Sequence, residues 1–424
     1  MRDNLEAVQA NCVLRKATVD PAHVVALYEA YVQLKARTDG VREARNASAA
    51  AMKGPLDAAQ RAALVAEGRA LKEQLVALES ALDAAEVELQ REGQRIPNGT
   101  HPSVPAGGEE DFTLLSLVGS PASFPFPARD HVALGEALGL FDFDSGAKAS
   151  GTRFVYLRGA AALLELALVQ WALSRAVAAG FTAYTTPDLV RAAAVEKCGF
   201  QPRAQNTQVY SVEGGELCLT GTAEIPLGAI YSDETLTEAQ LPLRMAAFGH
   251  CFRTEAGAAG ASTRGLYRLH QFSKVELFAL STPDQSEAVH QELLAFEAAL
   301  YTELGLHFRV LDMPAGDLGA PAYRKFDVEA WMPGMARFGE ISSASNCTDY
   351  QARRLNIRYR PASRPGEAGK PALRHVHTLN ATACAVPRMI IAILETHQQE
   401  DGSVRIPEAL RPFMGGLEFI RKTA

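Results

Sequence analysis

An aromatic, a basic and an acidic side chain alternate along one predicted strand near the middle of the chain. The β-prone runs 246–252 and 269–280 flank the segment 256–265, which is nearly all Ala, Gly, Ser and Thr. This pattern predicts a β-hairpin with a mobile tip. Because successive strand residues point to opposite faces, Phe272, Lys274 and Glu276 share one face. That face offers a stacking surface, a cation and a carboxylate in series.

Three arginines and a glutamate border the predicted hairpin loop. Arg253 and Glu255 end the first strand, and Arg264 and Arg268 close the loop. Guanidinium forks suit phosphate oxygens, and an aromatic face such as that of Phe272 suits a nucleobase, so the hairpin predicts a site for a nucleoside triphosphate. Taken alone, the same arginines are better explained as a solvated turn, and other segments must decide.

One such segment, 217–231, carries a hydroxyl and a carboxylate two residues apart. Thr222 and Glu224 are predicted to share a face of an extended stretch that Pro226 ends. Without further support, an exposed turn bearing Thr and Glu is the alternative.

Two further segments toward the carboxyl terminus carry polar groups. The sequence 339–354, GEISSASNCTDYQARR, combines Glu340 with a run of hydroxyls. Residues 379–396, LNATACAVPRMIIAILET, predict a strand, a turn and a helix whose first turn carries Arg388. An arginine there can stack on an exposed base and reach a phosphate.

Composition excludes several classes of protein. The chain has 424 residues, of which 47% are hydrophobic and 21% charged, as in soluble proteins of two or three domains. The most apolar helical stretch, 160–179, is interrupted by Glu165, Gln170 and Arg175 and predicts no membrane span. Six scattered cysteines predict buried thiols in a reducing compartment and no structural zinc. A net charge of −7 argues against indiscriminate binding of nucleic acid.

The amino-terminal quarter predicts two long antiparallel helices. Asp20 and Pro21 form a helix start, and Met-Lys-Gly-Pro at 52–55 predicts the turn. The second helix carries small and apolar residues at alternating spacings of four and three: Leu64, Gly68, Leu71, Leu75, Leu78, Leu82, Ala85 and Leu89. Residues 35–72 hold eight Lys or Arg against four Asp or Glu, whereas 73–96 hold two against six. A basic tip suits RNA phosphates, although such hairpins serve more often as scaffolds.

These segments also carry a family resemblance. Residues 252–276, FRTEAGAAGASTRGLYRLHQFSKVE, closely resemble the second signature motif of class II aminoacyl-tRNA synthetases, in the form of the seryl-tRNA synthetases. The helix 160–179 with its following strand is similar to the first motif, and 379–396 is similar to the third. The resemblance implies an α+β fold with a coiled-coil tRNA-binding arm, residues 1–105, and a catalytic domain, residues 106–424. The catalytic domain would hold an antiparallel β-sheet flanked by helices, and 97–108 is a linker by composition.

The resemblance implies roles for individual residues. The expected catalytic residues are Arg253, Glu276 and Arg388. The expected serine-binding residues are Thr222, Glu224, Arg253, Glu276, Asn380 and Thr382. The expected ATP-binding residues are Arg253, Thr254, Glu255, Arg264, Phe272, Glu340, Ile341, Ser342, Ser343 and Arg388. The expected Mg²⁺ ligands are Glu340 and Ser343, which offer hard oxygens.

The third motif departs from the commonest bacterial pattern. Ala381, Thr382 and Ala383 stand where Gly-Ser-Gly is usual, and Pro387 replaces a glycine. Thr382 keeps a hydroxyl for serine, and the two alanines are expected to narrow the pocket. The Asn-Ala-Thr form is more similar to eukaryotic and plant-organellar branches of the family.

The implied activity is that of a serine–tRNA ligase. Its substrates would be L-serine, ATP and tRNA(Ser), with tRNA(Sec) left open as a second acceptor, and its assembly a homodimer without a membrane partner. Two alternatives stay open at this point: a non-catalytic RNA-binding paralogue and an amino acid:carrier-protein ligase. The expected location is the cytoplasm, or a mitochondrial or plastid matrix if a presequence is missing from this chain.

Overall fold

The chain divides into two compact units. The computed structural model describes residues 2–202, 207–255, 265–363 and 370–422, and its contacts separate Met1–Gly99 from Thr100–Ala424. The predicted mobile loop tip, with Arg264, lies outside the described residues. The assignment of 1–105 to tRNA binding and 106–424 to catalysis stays a prediction.

The first unit is an arm of α-helices. Helix α1 spans Leu5–Leu14, α2 spans Pro21–Ala51 and α3 spans Ala58–Gly93. The side chain of Asp20 caps α2 by accepting from the Ala22 amide at 2.9 Å, as the sequence predicts. Asp57 and Gln60 form a reciprocal capping box at the start of α3.

Helices α2 and α3 run antiparallel. Arg42 pairs with Glu79 at 2.8 Å, and the Ser48 hydroxyl meets Glu67 at 3.3 Å nearer the turn. At the predicted spacings on α3, Leu75 and Leu78 are buried along the seam and the other predicted residues are half-buried. The predicted helical hairpin is therefore confirmed.

The second unit combines strands with shorter helices. Its helices are α4 His131–Leu138, α5 Phe143–Ser150, α6 Ala160–Ala178, α7 Ala192–Lys197, α8 Glu224–Ile230, α9 Ser286–Glu303, α10 Tyr350–Leu355 and α11 Val386–Thr396. Its strands are β1 Thr113–Val118, β2 Phe141–Asp142, β3 Tyr156–Leu157, β4 Thr182–Thr185, β5 Leu189–Arg191, β6 Leu217–Leu219, β7 Thr235–Thr237, β8 Leu243–Phe252, β9 Gln271–Ser281, β10 Phe308–Asp312, β11 Arg324–Met332, β12 Arg337–Asn346, β13 Arg358–Arg360, β14 Arg374–His375, β15 His377–Ala385, β16 Val404–Arg405 and β17 Phe419–Ile420.

A sheet of eight strands dominates this unit. Its order is β1-β10-β11-β12-β15-β9-β8-β4, and its pairs are antiparallel except for β4 with β8. The predicted hairpin is confirmed, because β8 and β9 pair from Leu243 with Leu280 to Phe252 with Gln271. Strands β12 and β15 pair over Ala344–Asn346 and Leu379–Ala381. Past the pair of Ala344 with Ala381, a cleft is lined by residues 340–343 of β12 and by residues between 382 and 388 at the β15–α11 junction.

The two faces of β9 have different environments. Val275, Leu277 and Ala279 belong to the main hydrophobic core, together with buried residues of α6, α9 and α11. Phe272 and Lys274 on the other face line the cleft. The predicted alternation is therefore confirmed, and the helices form the layer behind the site.

Helix α6 has the length and composition of a membrane-spanning segment, but it contributes to the core. Within the described ranges it is the helix that meets those two criteria. Its residues Leu164, Leu168 and Trp171 are fully buried in the main core. These contacts are those of a core helix in a globular domain.

Candidate active site

A cleft of about 140 Å³ lies on the exposed side of the central strands. Its lining residues come from the hairpin β8–β9, from β12 and from the β15–α11 junction: Arg253, Glu255, Leu266, Tyr267, Arg268, Leu269, Phe272, Lys274, Glu340, Ile341, Ser342, Ser343, Thr382, Ala385, Pro387 and Arg388. A second depression of about 400 Å³ shares Tyr267, Arg268, Glu340 and Arg388 with it. Segments far apart in sequence therefore converge on one site.

Arg388 holds one end of this cleft together. It lies in the first turn of α11, where Pro387 fits because a proline needs no amide partner there. Its Nη1 donates to the Glu340 carbonyl at 3.0 Å and pairs with the Glu340 carboxylate at 3.0 Å. Its guanidinium carbon lies 4.7 Å from the centre of the Tyr267 ring. The arginine is thus oriented by both a charge and an aromatic face.

Arg253 and Phe272 face each other across the same end. The guanidinium carbon of Arg253 lies 5.2 Å from the centre of the Phe272 ring. Nearby, the Glu255 carboxylate accepts from Arg268 at 3.1 Å. Glu255, which also lines the cleft, has a φ of 50°, which is uncommon for a residue with a side chain. This end of the cleft therefore combines the Phe272 and Tyr267 rings with side chains of both charges.

The charges at this end favour an ionised Glu340. Burial by itself would raise the pKa of Glu340, but the positive charges of Arg388 and Lys325 outweigh it, and the pKa lies below its usual value. The Glu340 side chain is 41% exposed. A carboxylate that is ionised and open to the cleft can bind a cation.

A buried polar group lies at the other end of the cleft. The Lys274 ammonium pairs with the Glu276 carboxylate at 2.5 Å and donates to the Thr222 hydroxyl at 2.9 Å. Both side chains of the ion pair are less than 10% exposed. Burial raises the pKa of Glu276, and Lys274 and the Thr382 hydroxyl act in the opposite direction.

Glu224 extends this polar group into a network. Its Oε1 accepts from the Gln351 amide at 2.5 Å and from the Asn380 amide at 3.0 Å. The Gln351 carbonyl oxygen in turn accepts from the Thr378 hydroxyl at 2.6 Å. Burial, followed by the negative charge of Glu276, raises the pKa of Glu224 to about 7. The network is well suited to small polar groups, because it presents fixed donors and acceptors without bulk water.

The prediction of an extended stretch through Thr222 and Glu224 is wrong. The extended stretch predicted through Thr222 and Glu224 ends at Leu219, and Glu224 begins helix α8, so Pro226 occupies the first helical turn. The two residues still meet, because the Glu224 amide lies 3.5 Å from the Thr222 hydroxyl. First-turn positions tolerate proline, so the residue read as a strand end is compatible with a helix start.

The alanines of the third motif do not narrow the pocket. Ala381 and Ala383 are fully buried in the main hydrophobic core. Thr382 lies between them in sequence and lines the cleft. Because strand side chains alternate, the alanines face the helices and Thr382 faces the site.

The remaining expected residues have different surroundings. Thr254 directs its hydroxyl to the Thr207 carbonyl at 2.5 Å, and Ser342 directs its hydroxyl to Glu297 behind the sheet. Ile341 and Ser343 line the cleft. The role of Arg264 in binding ATP stays a prediction, since this residue lies outside the described part of the chain.

A buried histidine fixes the point where the described chain resumes after the hairpin loop. The Leu266 amide donates to Nε2 of His131 at 3.2 Å, and the His131 ring bonds through Nδ1 to the Glu395 carboxylate at 3.0 Å. Gly265 has a φ of 67°, and a Cβ there would lie 2.2 Å from the His131 Nε2. Glycine is therefore required at this position.

Sequence reasoning did not assign roles to three residues of the site. Lys274 was recognised on the correct strand face, but its bond to Thr222 joins residues 52 positions apart. Gln351 and Tyr267 carry no local signal of this kind. Their roles arise from contacts between distant segments.

Comparison with known proteins identifies the family. A family model described as the tRNA synthetase class II core domain (G, H, P, S and T) matches residues 208–397, and one described as the seryl-tRNA synthetase N-terminal domain matches residues 1–100. The serine–tRNA ligase of Rubrobacter xylanophilus is 48% identical over 416 residues, which cover 98% of this chain and 96% of that protein. The chain belongs to the seryl-tRNA synthetase family. The resemblance seen in the motifs is therefore confirmed.

Two solved structures extend the seryl-tRNA synthetase likeness to the whole fold. The Pyrococcus horikoshii seryl-tRNA synthetase complexed with ATP has a TM-score of 0.85 at 36% identity, covering 100% of this chain and 98% of that one. The cytoplasmic serine–tRNA ligase of Naegleria fowleri in complex with AMP has a TM-score of 0.80 at 28% identity, covering 99% and 96%. The expected fold class is confirmed.

Proposed function

We propose that this chain activates L-serine with ATP and transfers the seryl group to tRNA(Ser), with the cleft residues as its active site. The observation that supports this most strongly is the union of two unlike ends in one cleft. Arg253, Phe272 and Arg388 suit a nucleotide, and the buried network of Glu224 and Glu276 suits a small zwitterion.

In the first step, a carboxylate oxygen of serine attacks the α-phosphorus of ATP, and pyrophosphate leaves. Charge spreads over the phosphate oxygens in this step, so fixed cations are the main source of catalysis. Arg253 would contact the α-phosphate and the serine carboxylate, and Arg388 the outer phosphates. Phe272 and Arg388 would hold the adenine ring. In the second step, the terminal ribose hydroxyl of tRNA attacks the seryl carbonyl and AMP leaves.

The buried end would select serine. Glu276 would bind the ammonium group, with Thr222 beside it, and Thr382 with Asn380 and the Glu224 carboxyl would bind the side-chain hydroxyl. A site built to bond a hydroxyl rejects alanine strongly, because its own buried polar groups would lose their partners.

Glu340 and Ser343 are the residues we assign to Mg²⁺. Both line the cleft, and the low pKa of Glu340 gives an anionic oxygen. Mg²⁺ is usually held by one or two carboxylates together with substrate phosphates, so this donor set fits. Bound there, the ion would neutralise charge on the phosphates, and Arg388 would keep the Glu340 carboxylate in place.

The arm and helix α6 support two partner assignments. Four basic residues are exposed in the half of the helical hairpin nearest the turn between α2 and α3, where they would contact the phosphates of tRNA: Lys53, Arg61, Arg69 and Lys72.

Helix α6 has an exposed apolar face, on which Leu163 and Leu166 are 49% and 65% exposed. An apolar face of this kind fits the homodimer interface that the first motif implies. The cellular compartment and the use of tRNA(Sec) stay predictions.

The test is exchange between ATP and pyrophosphate with each of the twenty amino acids, without tRNA. We expect exchange with serine and none above background with alanine or glycine. Charging of tRNA(Ser) transcript is measured next. Absence of exchange with every amino acid would overturn the catalytic assignment in favour of an RNA-binding paralogue, and charging of a carrier protein instead of tRNA would favour the carrier-protein ligase.

A further inference from the structure

A buried acid lies behind the serine end of the cleft, on the helix side of the sheet. Glu297 belongs to α9 and is fully buried. It lies where β12 and β15 stop pairing, since their last pair is Ala344 with Ala381. The next residue, Thr382, precedes a shift in the register of β15 against β9. A bulged position of this kind needs other partners for its backbone groups.

Side chains from the helix side supply those partners. The Thr382 amide donates to Oε1 of Glu297 at 3.0 Å. The Thr382 carbonyl accepts from the Tyr301 hydroxyl at 2.9 Å and lies 2.8 Å from the Ser342 hydroxyl. The Ser342 hydroxyl is also 2.5 Å from Oε1 of Glu297. Both backbone groups of Thr382 are thus fixed from behind.

The surroundings of Glu297 fit a neutral carboxylic acid. Burial raises its pKa well above the usual value, and the negative charges of Glu276 and Asp327 act in the same direction. Among the described residues, its Oε2 has no hydrogen-bond partner. When Glu297 is neutral, each of three hydrogens has an acceptor. The Thr382 amide donates to Oε1 of Glu297, the protonated Oε1 donates to the Ser342 oxygen, and the Ser342 hydroxyl donates to the Thr382 carbonyl. Burying an ionised carboxylate without a cation beside it would cost more free energy than burying the neutral acid.

The opposite side of Thr382 faces the substrate. Thr382 lines the cleft, and it lies directly opposite Glu276 in the pairing of β15 with β9. We propose that Glu297 is a positioning residue that fixes the Thr382 backbone and thereby the hydroxyl with which Thr382 reads serine. This inference rests on the proposed function, because it takes serine as the ligand of Thr382.

The test compares variants by the KM for serine and the KM for ATP in pyrophosphate exchange. Glu297→Ala removes the acceptor of the Thr382 amide, and we expect the serine KM to rise about 10-fold or more while the ATP KM stays within about 3-fold. Glu297→Gln keeps a neutral acceptor, and the expected serine KM lies within about 3-fold of wild type. Selectivity for serine over alanine falls in Glu297→Ala.

Leu293→Ala is the matched control. Leu293 lies on the same helix and is equally buried in the core, so this variant loosens α9 without touching Thr382. Both KM values are expected to stay within about 3-fold of wild type, although the thermal midpoint falls as in Glu297→Ala. If Glu297→Ala does not fold, Tyr301→Phe takes its place, with an expected rise of about 10-fold in the serine KM alone.

Three results would overturn the inference. The first is an unchanged serine KM in folded Glu297→Ala, or in Tyr301→Phe if Glu297→Ala does not fold. The second is an equal rise in both KM values. The third is an equal rise of the serine KM in Glu297→Gln and Glu297→Ala, which would mean that a neutral acceptor at this position does not hold Thr382 in place. Wild-type enzyme without serine-dependent exchange would remove the proposed function as well. Active wild-type enzyme with any of the three results removes only the role of Glu297.

Discussion

We expect the two ends of the cleft to recognise the proposed ligands, ATP and serine, by different physical means. At the nucleotide end, Glu340 and Arg388 keep side-chain exposures of 41% and 20%. At the serine end, Lys274 and Glu276 fall to 7% and 3%. Charge acts on phosphates at the open end, where solvent still screens it. At the closed end, a missing hydrogen bond cannot be replaced by water, and this difference makes the closed end the selective one.

The largest expected effect comes from removing the Arg388 side chain at the open end. Arg388→Ala leaves Glu340 without its partner and the phosphates without a fixed cation, so we expect kcat/KM for ATP to fall about 1,000-fold in serine-dependent exchange. Arg337→Ala is the control, because Arg337 also lies over the Tyr267 ring, at 4.9 Å. A comparable loss in that variant would assign the effect to the ring environment instead of to Arg388.

The closed end makes a prediction about stability and pH. The pKa of Glu224 is raised from 4.5 to about 7, so between these values the folded state holds a proton that the unfolded state has lost. Stability therefore falls as pH rises through this window. Between pH 5 and 8, wild type should lose about 3 kcal/mol more free energy of unfolding than Glu224→Gln. Denaturant unfolding at several pH values measures the difference, and parallel profiles would contradict it.

A smaller effect is expected from a neighbouring amide. Asn380→Ala removes one of the two donors to Glu224, and we expect the serine KM to rise about 10-fold with the ATP KM unchanged. Asn346→Ala is the matched control. Asn346 is also buried, but its side chain accepts from the Thr348 amide on the neighbouring segment. A rise in the ATP KM of Asn380→Ala would show that the two ends are not separate.

The smallest effect needs no mutation. Raising KCl from about 0.05 to 0.5 M, at constant free Mg²⁺, should raise the ATP KM about 3-fold and leave the serine KM nearly unchanged. The reason is that dissolved ions screen the charges of the open, nucleotide end but not those of the buried end. Steady-state exchange at each salt concentration measures both. Equal salt dependence of the two constants would contradict the contrast in solvent exposure.

Local patterns predicted the elements of this protein better than its polar contacts. The cap at Asp20, the hairpin β8–β9 and Arg388 in the first turn of α11 all follow from short-range rules of propensity and period. Glu224 was assigned to a strand because Pro226 is compatible with either a strand end or a helix start. The alanines flanking Thr382 were taken as pocket residues because the sequence does not say which face of β15 is inward.

The rest could not be predicted because it depends on tertiary contacts. Gln351 reaches Glu224 across 127 positions, and Glu297 reaches Thr382 across 85. In the sequence, Glu297 is one of several acidic residues on an amphipathic helix. Only the folded sheet buries it fully and brings its Oε1 against the Thr382 amide.

The hydrogen bond from the Leu266 amide to the His131 ring links two parts of the site. His131 is held by Glu395 near the end of α11, and Arg388 lies in the first turn of the same helix. Leu266 also precedes Tyr267, on which Arg388 stacks. His131 therefore connects the segment that begins at Gly265 to the helix that carries Arg388. We expect Gly265→Ala to displace His131, because the added Cβ would lie 2.2 Å from the His131 Nε2, and to misalign the Tyr267 ring beneath Arg388.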